Sequence, residues 1–189
     1  HFQAVQVDPR TEDTAGPQFV EAADLDGDGR LDLVTAWAQS QPLQFHLQRV
    51  DDEGNISFET TVLAGSIPVS STAGIQVADF DEDGRMDIAL LAKSRNLDDA
   101  TTVTFDGAVI MYFGPEDLGD LTDPIQWQEI LLTQTDLPGV ADGDGSDPEV
   151  GGYTDIEAGD MDGDGDVDLV LALNGVPETE GTEEDSAGS

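Results

Sequence analysis

Apolar residues recur along this chain in short runs bounded by Gly, Asp, Asn and Pro. Two neighbouring stretches, Leu43–Val50 and Ile56–Leu63, alternate apolar and polar with period two, the pattern of half-exposed strands. Between them 51–55 (Asp-Asp-Glu-Gly-Asn) reads as a hairpin loop. Three other runs, Leu31–Trp37, Met86–Ala92 and Val167–Leu173, are almost continuously apolar, which fits strands buried on both faces. Each is preceded by a shorter strand candidate, at 18–23, 74–78 and 153–158. Further strands are predicted over 107–113 and 125–132, with polar insertions around 94–106 and 114–124.

What joins each short strand to the apolar run that follows it is the same nine-residue acidic loop. The copies begin at Asp24, Asp79 and Asp160. Carboxylates occupy positions 1, 3, 5 and 9: Asp24, Asp26, Asp28 and Asp32; Asp79, Asp81, Asp83 and Asp87; Asp160, Asp162, Asp164 and Asp168. Position 6 is Gly29, Gly84 or Gly165, which permits the left-handed backbone needed to wrap the chain round an ion. Asp-Gly favours turns in any setting, but three copies in one register point to metal. Four carboxylates in nine residues repel one another unless a cation lies among them. Calcium, with six to eight hard oxygen ligands in flexible geometry, suits the set. The backbone carbonyls of Arg30, Arg85 and Asp166 at position 7 complete each predicted site, with a water. Three calcium ions are therefore expected.

The neighbours of the loops decide which kind of calcium site this is. An EF-hand requires a bidentate Glu at position 12 and flanking helices, whereas position 12 here is Thr35, Leu90 or Leu171. A dockerin-like loop also requires a following helix. The tandem Gly-Gly-x-Gly-x-Asp period of calcium-binding β-helices is absent. The loops instead connect strands, with the ion fixing the turn.

The loops start 55 and 81 residues apart. A repeat of several tens of residues with about four strands per unit is the mark of a β-propeller. The fold class is thus all-β, with blades of about four antiparallel strands. The three Asp-x-Asp-x-Asp-Gly-x-x-Asp loops (with Gly27 and Gly163 in the first and third), the strand after each, and Tyr112-Phe113-Gly114-Pro115 resemble the FG-GAP (VCBS-type) repeat family, which also builds the heads of integrin α chains. The resemblance spans residues 18–174. It implies calcium between the first and second strands of each blade, at the residues already named.

The units do not close a ring. Blade 1 is placed at 18–65, blade 2 at 73–132, an acidic insertion loop at 133–152 and an incomplete blade 3 at 153–175. Residues 1–10 are read as an outer strand of a preceding or neighbouring blade, and 176–189 as a disordered acidic tail or linker. Propellers have about four to eight blades. The preferred reading is a piece of a longer propeller; a ring assembled from several copies, or an open stack whose edges a partner covers, are the alternatives.

Charge narrows the function further. The 189 residues carry 42 acidic and 6 basic side chains, a formal net charge of −36. Three calcium ions would offset only a small part of this, and the remainder repels anionic partners. With no basic patch, nucleic acid is excluded as a partner. No cysteine is present, so disulfides and thiolate sites are excluded. No apolar stretch approaches the roughly 20 residues needed to span a bilayer. The expected location is extracellular or at the cell surface, where calcium can replace the disulfide as a crosslink. Asp142-Gly-Asp144-Gly-Ser146-Asp147 resembles a fourth loop but has Val150 at position 9, so a solvated acidic loop is expected there. His1 and His46 would be the candidates for a copper site, but His46 is expected to face solvent. Trp37 and Trp127 are expected in the core. No catalytic constellation stands out. The sequence therefore predicts a non-enzymatic, calcium-stabilised structural or adhesive module whose partners are other blades, from the same or neighbouring chains, and a protein or glycan ligand. The competing readings are part of a polysaccharide-acting propeller enzyme and a self-assembling subunit of a surface polymer.

Overall fold

The computed structural model describes residues 16–37, 43–63, 71–94, 108–121, 126–132 and 153–173, together with Val7, Val69 and Asp123. Among these residues the chain is all-β. A first sheet runs in sequence order through β1 (Pro17–Ala23), β2 (Asp32–Trp37), β3 (Leu43–Val50) and β4 (Ile56–Leu63). A second repeats it with β5 (Ser71–Ala78), β6 (Asp87–Ser94), β7 (Ala108–Phe113) and β8 (Gln128–Leu132). A third pairs β9 (Tyr153–Gly159) with β10 (Asp168–Leu173). All pairings are antiparallel. The readings at 1–10 (Val7 apart), 133–152 and 176–189, with His1 and the Asp142 loop, lie outside the described residues.

The sheets stack face to face. Register places Val34 opposite Phe45, so Val34, Ala36, Leu43, Phe45, Leu47 and Leu63 share one face of the first sheet. That face packs on Ile75, Ile88, Leu90, Ile110 and Tyr112 of the second. Phe45 meets Trp127 with ring centroids 5.8 Å apart, a tilted contact. The opposite face of the second sheet, with Ala89, Leu91, Val109 and Met111, packs on Ile156, Leu169 and Leu171 of the third. Fully burying each such aliphatic side chain contributes about 1.5–3 kcal/mol. Contacts of β5 with β1 and β2 on one side and β9 on the other bring the first strands of the three sheets together. This fan of meandering sheets is a partial β-propeller arrangement. Gly74 lets β5 pack tightly on β9: a Cβ there would lie 2.7 Å from Ile156 Cγ2.

Three expectations change. The run after the third loop is only half buried, because its sheet is covered on the face toward the second sheet while Val170, on the other face, is 44% exposed. The run in β6 is buried on both faces because a sheet lies on either side of it. β3 alternates in sequence as read, yet Leu43–Leu47 is buried on both faces. Its polar side carries His46, which is 2% exposed and does not face solvent. Hydrogen bonds join Thr35 Oγ1 to His46 Nε2 at 3.1 Å and His46 Nδ1 to Thr60 Oγ1 at 2.8 Å, satisfying a buried imidazole from both neighbouring strands. Trp37 and Trp127 are in the core as expected. The segment 114–124 is more than a polar insertion: a short 3-10 turn at Leu118–Asp120 delivers Leu121 into the core, where its carbonyl accepts from Trp127 Nε1 at 3.2 Å.

Candidate metal centres

Each acidic loop connects the first and second strands of its sheet, and all three use one hydrogen-bond scheme. The position-1 carboxylate accepts from the position-6 amide: Gly29 N to Asp24 at 2.8 Å, Gly84 N to Asp79 at 2.9 Å, Gly165 N to Asp160 at 3.1 Å. Position 3 accepts from the amide of position 5, at 3.3, 3.3 and 3.1 Å in the three loops. Position 5 accepts from the amide of position 7, at 2.9, 2.9 and 3.0 Å. Asp and its own neighbouring amides thereby replace a hairpin ladder.

Position 9 closes the loop from the far side. Asp32 accepts from Leu25 N at 2.9 Å and from Gln48 N on β3 at 2.7 Å. Asp87 accepts from Phe80 N at 2.9 Å and from Gly114 N at 2.9 Å. In the third loop Asp168 accepts from Met161 N at 2.9 Å. Asp32 and Asp87 are completely buried. Burial, opposed by these amides and aided by nearby Asp26 or by Asp81 and Asp79, raises each pKa above its ordinary value. The sequence signalled position 9 only as a ligand; its second task as a staple between loop and sheet depends on amides of another strand.

A left-handed backbone marks position 4 as well as position 6. Gly27 and Gly163 have φ of 72° and 81°, while the second loop places Glu82 there with φ 60°. A non-glycine residue in this region is uncommon. The Glu82 carboxyl reaches Asp166 of the third loop, and that hydrogen bond, with the charge of Asp166, lifts its pKa. The second and third loops thus meet at one end of the fan.

In each loop, carboxylate oxygens from positions 1, 3 and 9 lie within 4.8 Å of one another: Asp24, Asp26 and Asp32; Asp79, Asp81 and Asp87; Asp160, Asp162 and Asp168. Oxygens bound at about 2.3–2.6 Å to one calcium ion lie no farther apart than about 5 Å. The trios therefore fit such an ion. In the first loop Asp24 Oδ1 is buried and has no hydrogen-bond partner, an oxygen left for a cation. The position-5 carboxylates are not drawn into the trios. Asp28 pairs with the Arg30 guanidinium and Asp83 with that of Arg85, so the position-7 arginines contribute charge as well as the predicted carbonyls. Asp166 takes that place in the third loop, without a positive charge.

Residues 24–90 match the family model of the FG-GAP-like repeat. That segment is similar to the FG-GAP-like repeat. The match runs from the first residue of the first loop into β6, spanning two loops and the whole of β2–β5. The third loop lies beyond the matched residues and gathers the same trio of carboxylates. No curated protein matches the chain.

Proposed function

We propose that this FG-GAP-type chain is a calcium-stabilised extracellular module, structural or adhesive, without chemistry of its own. One observation carries the reading: three loops of different sequence context each gather three carboxylates onto a single point at the same end-turn of their sheets. Asp24, Asp26 and Asp32, and their counterparts in the other loops, would hold the ion, with Asp28, Asp83 and Asp164 and the carbonyls of Arg30, Arg85 and Asp166 at hand to complete its shell. The ion supplies charge neutralisation and fixes the turn between the first two strands. A site selective for the folded chain stabilises it by about 2.7 kcal/mol at a hundredfold excess over its dissociation constant. Dissociation constants of about 10⁻⁴–10⁻³ M suffice outside cells. The test is unfolding followed with calcium and with chelator. A clear rise in melting temperature with calcium supports the reading, and superimposable curves refute it.

The outer faces of the first and third sheets favour a second reading, that further sheets of this or another copy pack there. Val20, 58% exposed, and Val62 lie on one of these faces and Val170 on the other. Particle mass in calcium-containing buffer distinguishes a monomer from an assembly.

A further inference from the structure

Among the described residues, one trio alone is touched by an arginine. Arg49, on β3, donates from Nη1 to Asp26 Oδ2 at 2.6 Å. The other Asp26 oxygen already accepts from Asp28 N. The guanidinium therefore occupies the one Asp26 oxygen not engaged by the loop's own backbone. Its remaining nitrogens reach Glu59 Oε2 on β4, Nε and Nη2 each at 3.3 Å.

Among the described residues no such cation touches the trio of the second loop. Its staple Asp87 takes the amide of Gly114 where Asp32 takes that of Gln48. The next residue, Arg49 in the first sheet, is accordingly Pro115 in the second. Arg85 turns instead to the Gly114 carbonyl, at 3.3 Å, and to Asp83, outside the trio. In the third loop no arginine touches Asp160, Asp162 or Asp168 among the described residues.

We propose that Arg49 is a built-in counter-cation of the first loop, which competes with a divalent ion for Asp26 and makes this the weakest of the three sites. This rests on the calcium reading above. The argument is electrostatic: a guanidinium within hydrogen-bond reach of a trio carboxylate repels an incoming dication and must give up that oxygen before the ion can use it. Glu59 makes the exchange possible, because Arg49 keeps a carboxylate partner when it leaves Asp26. Arg49 is a positioning residue, and its side chain is 41% exposed. Exposed ion pairs of this kind correspond to an effect of up to about fivefold on an equilibrium. The loops then fill in order, the second and third before the first.

Two single variants test this in opposite directions. Arg49→Met removes the competitor. Glu59→Gln removes the alternative partner at an exposed position and leaves Arg49 committed to Asp26. Calorimetric titration of the full chain with calcium chloride should show two tighter sites and one weaker. The weak site should tighten by up to about fivefold in Arg49→Met and weaken in Glu59→Gln. Asp24→Asn, which cripples the first loop, identifies the weak site by abolishing it. Unchanged affinities in both variants, or a weakened site in Arg49→Met with no change in Glu59→Gln, would overturn the proposal while leaving the calcium reading intact. Failure of the wild-type chain to take up calcium at all would overturn both.

Discussion

Asp87 is placed for two tasks, holding a loop shut and, on the proposed function, facing a cation. Alanine in its place strips the acceptor from Phe80 N and Gly114 N, both at 2.9 Å. A donor left without a partner in the interior costs about 1–3 kcal/mol, so two cost about 2–6 kcal/mol. Relief of the burial that raises the Asp87 pKa offsets part of this, and a net loss of about 3 kcal/mol is expected. For a chain of this size that is a fall in melting temperature of about 6–12 °C, even in chelator. Asp87→Asn keeps the shape and one acceptor oxygen and removes a charge that the interior disfavours. In chelator it should lose about 1 kcal/mol or less.

Calcium then discriminates between the two variants. On the proposed calcium reading, a hundredfold excess over the dissociation constant should give the wild-type chain about 2.7 kcal/mol from each loop. Asp87→Asn should forfeit the share of the second loop and fall clearly below wild type only in calcium, whereas Asp87→Ala should be weak in both conditions. Urea unfolding followed by Trp fluorescence in chelator and in calcium reports all four comparisons. A wild-type midpoint for Asp87→Ala in chelator would refute the stapling role. A full calcium response in Asp87→Asn would refute the ligand role.

The pH response follows from the same carboxylates. Asp32 and Asp87 have folded pKa values raised, chiefly by burial, above the ordinary 3.8. The folded state therefore takes up their protons first, and in chelator these groups add stability as pH falls from neutral through their folded pKa toward 3.8. Calcium requires the ionised form and should reverse the slope, so that stability falls with pH; slopes of one sign in both conditions would contradict this. Gly114→Ala should destabilise by about 1–3 kcal/mol, since its Cβ would stand 2.8 Å from the Met86 carbonyl oxygen, a backbone atom that cannot swing aside. Gly16→Ala, with nothing within 4 Å, is its neutral control in the same denaturation assay.

The sequence made the architecture legible where the signal was local. Strand limits follow from apolar runs and from acidic turns that cannot continue a strand, so β3 and β4 appear at the positions read for them. The strand pairs round the loops were equally visible, since each loop is too short to join anything but antiparallel neighbours. What escaped was whatever another strand supplies. His46 looks solvent-facing from the alternation of β3, but Thr35 and Thr60 flank it across the sheet and make burial affordable for an imidazole. Asp32 is chemically indistinguishable in sequence from Asp24, yet only Asp32 bonds the Gln48 amide. The left-handed backbone at position 4 had a faint signal in Gly27 and Gly163, which Glu82 obscured. Arg49 carried no signal, because its partner Asp26 lies 23 residues earlier.

The hydrogen-bond scheme of the loops sharpens the case for a cation. At positions 3 and 5 of every loop, and at Asp24 and Asp168, the carboxylate accepts from backbone amides through one oxygen, an acceptor that the uncharged amide of Asn supplies as well. Asn also tolerates turns and adds no repulsion to its neighbours. Backbone needs alone would therefore favour Asn at these positions, whereas Asp32, Asp79, Asp87 and Asp160 each accept amides through both oxygens. All four positions are nevertheless Asp in all three loops. The arginines neutralise Asp26, Asp28 and Asp83, but they leave the trios of the second and third loops without a counter-charge among the described residues. A hard dication at each trio removes the contradiction, because it requires the negative charge that the backbone does not. Replacing Asp162 and Asp168 together by Asn, each of which accepts through one oxygen, should on this reasoning leave the third loop folded and more stable in chelator, while abolishing its response to calcium.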